Sequence, residues 1–331
     1  MIDLEELSIK DETLKYINES VKSGRLFHSY IIVGEEGMAK NEFARYFAKT
    51  LQCHDKNRKR CNECISCRQF ESNNNPDIIR IKSKSKSIPV EDIRTQLNND
   101  IQIKPYSNKY KIYIIDKADS MLESAQNALL KTIEEPPPYA IIILLVENMS
   151  NLLPTIISRS LILNLKSIDE NKIKKYLIKN YQIPDYLAEL ASKFSGGNIG
   201  KAIKFATTDY FIKIKDETIN FLKNINKIQL NQIIEFLNII SKDKDRIDDY
   251  LDIIILWYRD ILIYKATENI DRIMFKDETQ EIINCSELKS YISIDNIINS
   301  IETTKQRLKY NVNFDITLEL MLLNLKEKCN D

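Results

Sequence analysis

Cysteine residues cluster in one short segment of the chain and could hold a metal ion. Seven, two and two residues separate them, in the order Cys53, Cys61, Cys64 and Cys67. Four thiolates with two CxxC spacings suit a tetrahedral Zn²⁺ ion, at Zn–S distances of ~2.3 Å. Four sulfurs would close the coordination shell, so the predicted site is structural, although His54 could compete with Cys53 as a ligand. Cys285 and Cys329 are isolated and are expected to be structural residues.

A second segment carries part of a phosphate-binding loop. An apolar run over 30–33 is followed by a turn with Gly34 and Gly37 and then by Lys40. The P-loop pattern is G-x-x-x-x-G-K-[ST], in which backbone N–H groups hold phosphates, the lysine pairs with them and the hydroxyl binds Mg²⁺. Here Ala39 replaces the second glycine and Asn41 replaces the hydroxyl residue. The pattern predicts a degenerate nucleotide site, and an ordinary strand–turn–helix unit is the alternative.

A carboxylate ends a later apolar strand. The run over 112–115 leads into Asp116, the position from which a P-loop protein holds Mg²⁺ through water. The next residue is Lys117, where hydrolysing proteins of this class carry a glutamate that orients the attacking water. Binding of ATP and Mg²⁺ is therefore doubtful. A buried strand that simply ends at the surface is the alternative interpretation.

One arginine could act on another subunit. Arg159 lies between two serines, after Pro154 and before a predicted strand. An arginine that reaches a neighbour's γ-phosphate contributes ~10³–10⁵ in rate. Taken alone, the residue is better explained as a surface arginine in a salt bridge.

Composition limits the function classes. The chain has 331 residues, and 48 Lys+Arg balance 48 Asp+Glu, so no overall basic field points to nucleic acid. The N-terminus shows no signal-peptide pattern, and the longest apolar runs, 139–146 and 253–258, are too short to span a bilayer. We expect a soluble, cytoplasmic protein. The lysines that alternate with serine over 82–86 indicate a solvated loop, although they could touch a phosphate backbone.

The elements that must position these residues alternate between strands and helices. Five strands are predicted near 30–33, 77–82, 111–116, 140–146 and 160–165, with helices between them at 40–52, 90–97 and 120–135. This alternation is typical of a parallel sheet flanked by helices. Residues 167–206 form a predicted small helical unit with a break at Gly196 and Gly197. No glycine follows Gly200 and no proline follows Pro184, so the last third is predicted to be all helix.

Several motifs together resemble the bacterial clamp-loader AAA+ family of DNA polymerase III. They are 28–34 before the loop, the four cysteines after the first helix, and the segments 75–77, 112–116, 127–137 and 158–160. The stretch Asn127–Pro137 is very specific to this family. The similarity is strong over residues 1–205, whereas the remaining helices fit the family's collar in length and class only.

The resemblance implies an α/β AAA+ module over 1–166 with a zinc-binding insertion at 53–67, a helical lid over 167–207 and an all-α collar over 208–331. It implies a subunit that hydrolyses ATP poorly or not at all and supplies Arg159 in trans. The lid's sensor arginine should fall near Gly200, which has no side chain, and Ser160 replaces the family's cysteine. The implied partners are gamma/tau-type ATPase subunits and a delta subunit in a five-membered ring, the sliding clamp, and primer-template DNA.

Three other interpretations stay open. An ATP-hydrolysing clamp-loader subunit is opposed by the degenerate loop. A zinc-containing nucleic-acid-binding protein is opposed by the zero net charge. An AAA+ adaptor outside replication is opposed only by the Asn127–Pro137 stretch.

Overall fold

The computed structural model describes Leu7 and residues 12–55, 61–82, 87–225, 227–242, 244–310 and 312–327. The chain divides into two compact units, Met1–Ile203 and Lys204–Asp331. The lysine–serine loop is described only at its first residue, and Cys329 lies outside the described residues. Within the described part of the chain, no helix combines the length and apolar character that a membrane span requires.

The first unit contains one five-stranded parallel sheet, as predicted. Its strands are β1 (Ser29–Val33), β2 (Ile78–Ile81), β3 (Lys111–Ile115), β4 (Ala140–Val146) and β5 (Leu161–Asn164), and their order in the sheet is β2-β3-β4-β1-β5. The register pairs Ser29 with Ile142 on one side of β1 and Tyr30 with Leu161 on the other. All seven residues of β4 are buried, because helices cover both faces of a parallel sheet.

Helices surround this sheet and continue to the end of the unit. They are α1 (Glu12–Ser23), α2 (Lys40–Gln52), α3 (Ile65–Glu71), α4 (Val90–Ile93), α5 (Glu123–Glu134), α6 (Pro154–Ile157), α7 (Glu170–Tyr181), α8 (Asp185–Phe194) and α9 (Ile199–Thr207), in which the first unit ends. The α/β AAA+ fold class predicted from the sequence is confirmed, and the break at Gly196 and Gly197 separates α8 from α9.

Two helices have bounds that differ from those predicted. The helix expected over 90–97 is α4 followed by a wider π-helical turn, Arg94–Asn98. The helix expected from residue 120 begins at Glu123, because Met121 pairs as a short parallel bridge with Ile88 and is extended. Helix α3, which begins after Cys64 and contains Cys67, was not predicted.

The second unit is helical, as predicted. Its helices are α10 (Tyr210–Asn224), α11 (Leu230–Ser241), α12 (Ile247–Thr267), α13 (Thr279–Leu288), α14 (Tyr291–Lys309) and α15 (Phe314–Glu327). The longest, α12, packs against α10, α13 and α14. Its Trp257 is buried and meets Phe275 edge to face, with ring centroids 5.6 Å apart. Buried Asp260 accepts hydrogen bonds from the N–H groups of Met274 and Phe275, which fixes the segment before α13.

Candidate nucleotide site and metal centre

The degenerate loop lies at the carboxyl end of β1, between this strand and α2. Gly34 N–H donates to the Val146 carbonyl at 3.1 Å, so the start of the loop continues the sheet. Gly37 has φ +88°, and Ala39, just before α2, has φ 57° and ψ 30°. Both are left-handed conformations that favour glycine, which explains why the P-loop pattern prefers glycine at position 39. The loop thus has P-loop-like conformation with a Cβ atom at its second glycine position.

Lys40 is directed at its own loop. Its Nζ atom donates to the carbonyl oxygens of Gly34 at 2.6 Å and Glu35 at 3.0 Å. The same atom lies 3.4 Å from Oε1 of Glu147, which follows β4, and the lysine is buried. In a working P-loop this ammonium group pairs with the β/γ-phosphates. Here three protein oxygens surround it, so the charge is compensated within the protein.

Asn41 and Asp116 approach each other at the position predicted for magnesium. The Asn41 Nδ2 group donates weakly to both carboxylate oxygens of Asp116, at 3.4 and 3.5 Å. On its other side, Oδ1 of Asn41 accepts a 2.5 Å hydrogen bond from Nη2 of Arg80. Arg80 is thus a cation bonded to the residue that stands at the hydroxyl position of the P-loop pattern.

Lys117 stands beside the loop rather than in a catalytic arrangement. It has a left-handed backbone, with φ 51°, and its side chain is 62% exposed. Its ammonium group lies 3.8 Å from Oε1 of Glu36 in the loop. A lysine cannot accept a proton from water while it is charged, so this position offers no general base.

Helix α9 and the residue before it contact the loop through hydrogen bonds. The N–H group of Gly200 donates to the Gly37 carbonyl at 2.9 Å, and Asn198 Nδ2 donates to the Glu36 carbonyl at 2.7 Å. A Cβ atom built on Gly200 would lie 2.7 Å from Cα and 2.8 Å from the carbonyl oxygen of Gly37. The position at which a sensor arginine was expected therefore has no room for a side chain in this arrangement.

Arg159 lies near the amino ends of the parallel strands, whereas the loop lies at their carboxyl ends. It follows α6 and precedes the first residue of β5, whereas the loop follows the last residue of the neighbouring parallel strand β1. Its side chain is 42% exposed, and Nη2 lies 3.1 Å from Oε1 of Glu134 at the end of α5. Nη1 donates to the Thr155 carbonyl at 3.1 Å. The adjacent Ser160 shares a 2.7 Å hydrogen bond with Ser29 at the start of β1.

The four cysteine sulfurs form one compact group. Cys53 directly follows α2 and Cys64 caps the start of α3, and all four Sγ atoms lie within 4.8 Å of one another. The Sγ atoms of Cys53 and Cys61 are 3.7 Å apart. Four sulfurs placed tetrahedrally at ~2.3 Å from one ion are separated by about 3.8 Å, so the group has the size of a metal site. His54 is engaged elsewhere, since its Nε2 lies 3.2 Å from Oδ1 of Asn108.

Backbone hydrogen bonds prepare one of these thiols for metal binding. The N–H group of Cys64, with that of Glu63, lowers the pKa of Cys61 to about 6. Burial raises the pKa of Cys67, which lies deepest in the group. A divalent ion favours the deprotonated form of all its thiol ligands, and would therefore offset this burial cost.

Sequence reasoning missed three residues of the loop region: Arg80, Glu147 and Asn198. A signal for the first two exists, because the carboxyl ends of parallel strands meet at one edge of a sheet. Arg80 is near the end of β2 and Glu147 directly follows β4, so both were bound to lie near the loop. The sequence carries no comparable signal for Asn198, whose contact depends on how α9 folds back.

Two family models match the chain. The model described as "DNA polymerase III, delta subunit" matches residues 9–169, and the one described as "DNA polymerase III, delta subunit, C terminal" matches residues 211–327. The two matches are consecutive along the chain. Together they include the sheet, the cysteine group, Arg159 and the helices of the second unit.

Individual relatives agree with the family models. The chain is 28% identical over 327 residues to DNA polymerase III subunit delta' of Bacillus subtilis, covering 96% of this chain and 97% of that protein. It is 33% identical over 216 residues to the tau/gamma subunit of Haemophilus influenzae, covering 63% of this chain and 31% of the relative. The chain therefore spans about a third of the tau/gamma relative.

A solved structure supports the fold. A DNA polymerase III gamma subunit-related protein of Thermotoga maritima matches with a TM-score of 0.52 and 19% identity, covering 96% of this chain and 99% of the other. The parallel sheet with its P-loop-like turn and the all-helical second unit define an AAA+ protein. The chain belongs to the DNA polymerase III delta-prime family of clamp-loader subunits.

Proposed function

We propose that this chain is a clamp-loader subunit that does not hydrolyse ATP itself and supplies Arg159 to the ATP site of a neighbouring ATPase subunit. The guanidinium would stabilise the charge that develops on the γ-phosphate in the transition state. The subunit would thereby help a ring of related proteins to place the sliding clamp on primed DNA.

The observation that carries this proposal is the position of Arg159. The residue precedes β5, while the loop follows β1, so the five residues of β1 separate them by about 16 Å. Arg159 cannot reach its own loop across the length of the sheet. Its exposed side chain, held by Glu134 and Thr155, is instead available to a neighbouring subunit.

The contacts within the loop support the proposal that this chain does not hydrolyse ATP. Lys40 is bound by protein oxygens, Arg80 is bonded to Asn41, and α9 is hydrogen-bonded to Gly37. Lys117 provides no general base. A nucleotide would have to displace several of these contacts before it could bind in a reactive geometry.

The cysteine group supports a structural Zn²⁺ ion. The four sulfurs, Cys53, Cys61, Cys64 and Cys67, suit a soft tetrahedral site, and their spacing fits Zn²⁺. The ion would hold together the end of α2 and the start of α3. We assign it no part in the reaction, because four protein ligands leave no open position.

The proposed domains and partners are those that the family resemblance implies. We propose a nucleotide-binding-like domain over 1–166 with the insertion 53–67, a lid over 167–207 and a collar over 208–331 that joins the ring. Its partners would be gamma/tau-type ATPase subunits and a delta subunit, with the clamp and primer-template DNA bound by the assembled complex in the cytoplasm. The neutral net charge favours DNA contacts that are shared across the ring.

The test is the steady-state ATPase rate of a reconstituted loader with clamp and primed DNA. The intact chain is compared with Arg159→Ala and with Arg94→Ala, a matched exposed arginine elsewhere in the same unit. We expect Arg159→Ala to remove most of the turnover, by at least about a hundredfold at the affected site. Arg94→Ala should leave the rate unchanged, and the chain alone should be silent.

Assembly is measured in parallel on a sizing column, so that loss of the ring is not mistaken for loss of the arginine. Turnover by the chain alone would show that the loop is functional and that this is a motor subunit. Unchanged turnover with Arg159→Ala in an intact ring would leave the subunit a scaffolding role only.

A further inference from the structure

A cavity of about 220 Å³ lies beside the sheet, and no residue of the loop 34–40 lines it. Its walls come from α2, β2, β3 and the end of α3, and include Arg45, Phe70, Asn73, Ile78, Arg80 and Ile114. Among the described residues that line it, two carry a positive charge and none is acidic. A cavity with two guanidinium groups and no carboxylate is unusual for a space that only separates packed elements, because buried charges normally have a partner.

Each guanidinium group is held on one side only. Arg45 Nη1 donates to Oδ1 of Asn73 at 2.9 Å, and the Arg45 guanidinium lies 4.8 Å from the centre of the Phe70 ring. Arg80 Nη2 donates to Asn41 at 2.5 Å. These contacts fix both arginines in place beside the cavity.

Three of the remaining donors of the two arginines are buried without a partner. Among the described residues, Nε and Nη2 of Arg45 and Nε of Arg80 have no hydrogen-bond acceptor. Native proteins rarely leave buried N–H donors unpaired, and donors on charged groups are the costliest to leave so. Three such donors on two side chains that line one cavity indicate an acceptor that the protein itself does not provide.

The charges point to the same kind of ligand. Burial, and after it the charge of Arg45, lowers the pKa of Arg80. Asp116 and Glu42 act in the opposite direction, but neither carboxylate lines the cavity. An anion between the two guanidinium groups would offset both their repulsion and their burial.

We propose that this cavity binds a phosphate-sized oxyanion between Arg45 and Arg80. Guanidinium groups bind tetrahedral and planar oxyanions through paired N–H donors, a geometry that lysine cannot reproduce. The cavity is smaller than the ~300–1,000 Å³ that drug-sized ligands occupy, so a whole nucleotide does not fit. The ligand class is inorganic phosphate or pyrophosphate, or a single terminal phosphate of a larger molecule.

The position of the cavity gives binding a structural consequence. Arg45 lies one helical turn after Asn41 on α2, and Arg80 is bonded to Asn41 itself. Asn73, on the other wall, follows the helix that carries Cys67. A bound oxyanion would therefore join α2, β2 and the segment after the cysteine group. The inference does not depend on how Arg159 acts.

The test measures phosphate binding to the full-length, metal-loaded chain by calorimetric titration and by thermal unfolding. Inorganic phosphate and pyrophosphate are compared with chloride at constant ionic strength. The variants are Arg45→Gln and Arg80→Gln, with Arg68→Gln as a matched control, because Arg68 is exposed on α3 and does not line the cavity. We expect saturable binding by the wild type and the control, weakened about tenfold or more by either cavity substitution.

A competition with ATP identifies the source of the phosphate group. If ATP does not displace inorganic phosphate, the ligand is the free ion; if it does, and Arg45→Gln abolishes the effect, the ligand is a terminal phosphate. Arginine Nε–H resonances of the wild type provide a readout that needs no variant: those of Arg45 and Arg80 should shift on titration while Arg68 does not. Absence of saturable binding by the wild type, or equal binding by all variants, would overturn the proposal.

Discussion

The Nη2 atom of Arg80 donates a 2.5 Å hydrogen bond to Oδ1 of Asn41, the residue that replaces the magnesium-binding hydroxyl of a P-loop. The amide of Asn41 donates weakly to Asp116, so Asn41 links a protein cation to the carboxylate that was predicted to hold Mg²⁺. Asn41 is therefore more than a poor magnesium ligand, because its side-chain oxygen already accepts a hydrogen bond from the Arg80 guanidinium.

Magnesium-dependent nucleotide binding should consequently be absent from the isolated chain. A fluorescent ATP analogue is titrated into the purified protein with Mg²⁺ and, separately, with EDTA. We expect the same dissociation constant with Mg²⁺ as with EDTA, because Asn41 and Lys40 are engaged by protein groups. A micromolar constant that depends on Mg²⁺ would show that the contacts of Arg80 and Lys40 are displaced easily.

Lys40 should behave as a structural residue. Lys40→Ala removes hydrogen bonds to the Gly34 and Glu35 carbonyls and leaves Glu147 without its cation, so we expect the free energy of unfolding to fall by about 1–3 kcal/mol. The ATPase rate of an assembled loader should not change. Denaturant unfolding of the variant is compared with Lys22→Ala, an exposed lysine on α1 for which we expect a change below about 0.5 kcal/mol. A loss of turnover with unchanged stability would instead assign Lys40 to nucleotide binding.

The contact between α9 and the loop can be tested with one methyl group. Gly200→Ala places a Cβ atom 2.7 Å from Cα of Gly37, so one backbone segment must move. Alanine favours the helix by about 1 kcal/mol over glycine, yet overpacking against backbone costs about 1–3 kcal/mol. We expect the free energy of unfolding to fall and the backbone amide of residue 200 to exchange its hydrogen faster. A stabilised variant would mean that α9 leaves the loop readily.

The sheet was predictable because its strands are short apolar runs that end on distinctive residues. Tyr30–Val33 and Ala140–Val146 are continuously apolar, which is typical of buried parallel strands. Pro136 stops α5, the helix between β3 and β4. Helix α3 was not predicted because its short sequence, which contains Cys67 and several polar residues, has no apolar periodicity.

The candidate site was predictable residue by residue, but not as a set of contacts. The spacing of the cysteines indicated their grouping, because ligands close in sequence need little tertiary information. The contacts of Lys40, Asn41 and Gly200 depend instead on Arg80, Glu147 and the fold of α9. These partners lie between 39 and 163 residues away in sequence, so only the three-dimensional fold reveals them.

The cysteine group should contain about one equivalent of zinc per chain. Cys64→Ser removes a ligand that also caps α3, so we expect most of the metal to be lost and the segment between α2 and α3 to become sensitive to protease. Cys285→Ser is the matched control, since Cys285 lies outside the group, and it should retain the metal. Elemental analysis after dialysis against a chelator makes the measurement. A chain that holds no zinc when all four cysteines are reduced would exclude the site.

Asp77 should make stability depend on pH. Its buried carboxylate accepts hydrogen bonds from the N–H groups of Tyr106, Ser107 and Asn108, at 2.6, 3.0 and 2.9 Å. Burial alone would raise the pKa of Asp77, but these hydrogen bonds outweigh it and the pKa is lowered. A lowered pKa adds stability that is present above the unfolded-state value of about 4 and is lost as the pH falls through the folded-state value.

Asp77→Asn should therefore lower the free energy of unfolding by about 2–4 kcal/mol at neutral pH, because the amide cannot replace a carboxylate that accepts from several donors. The difference between wild type and variant should shrink as the pH falls below about 4. Thermal unfolding across this pH range makes the comparison, with Asp277→Asn, an exposed aspartate in the second unit, as the control. A difference that is independent of pH would mean that the cost of the substitution comes from packing and not from the charge of Asp77.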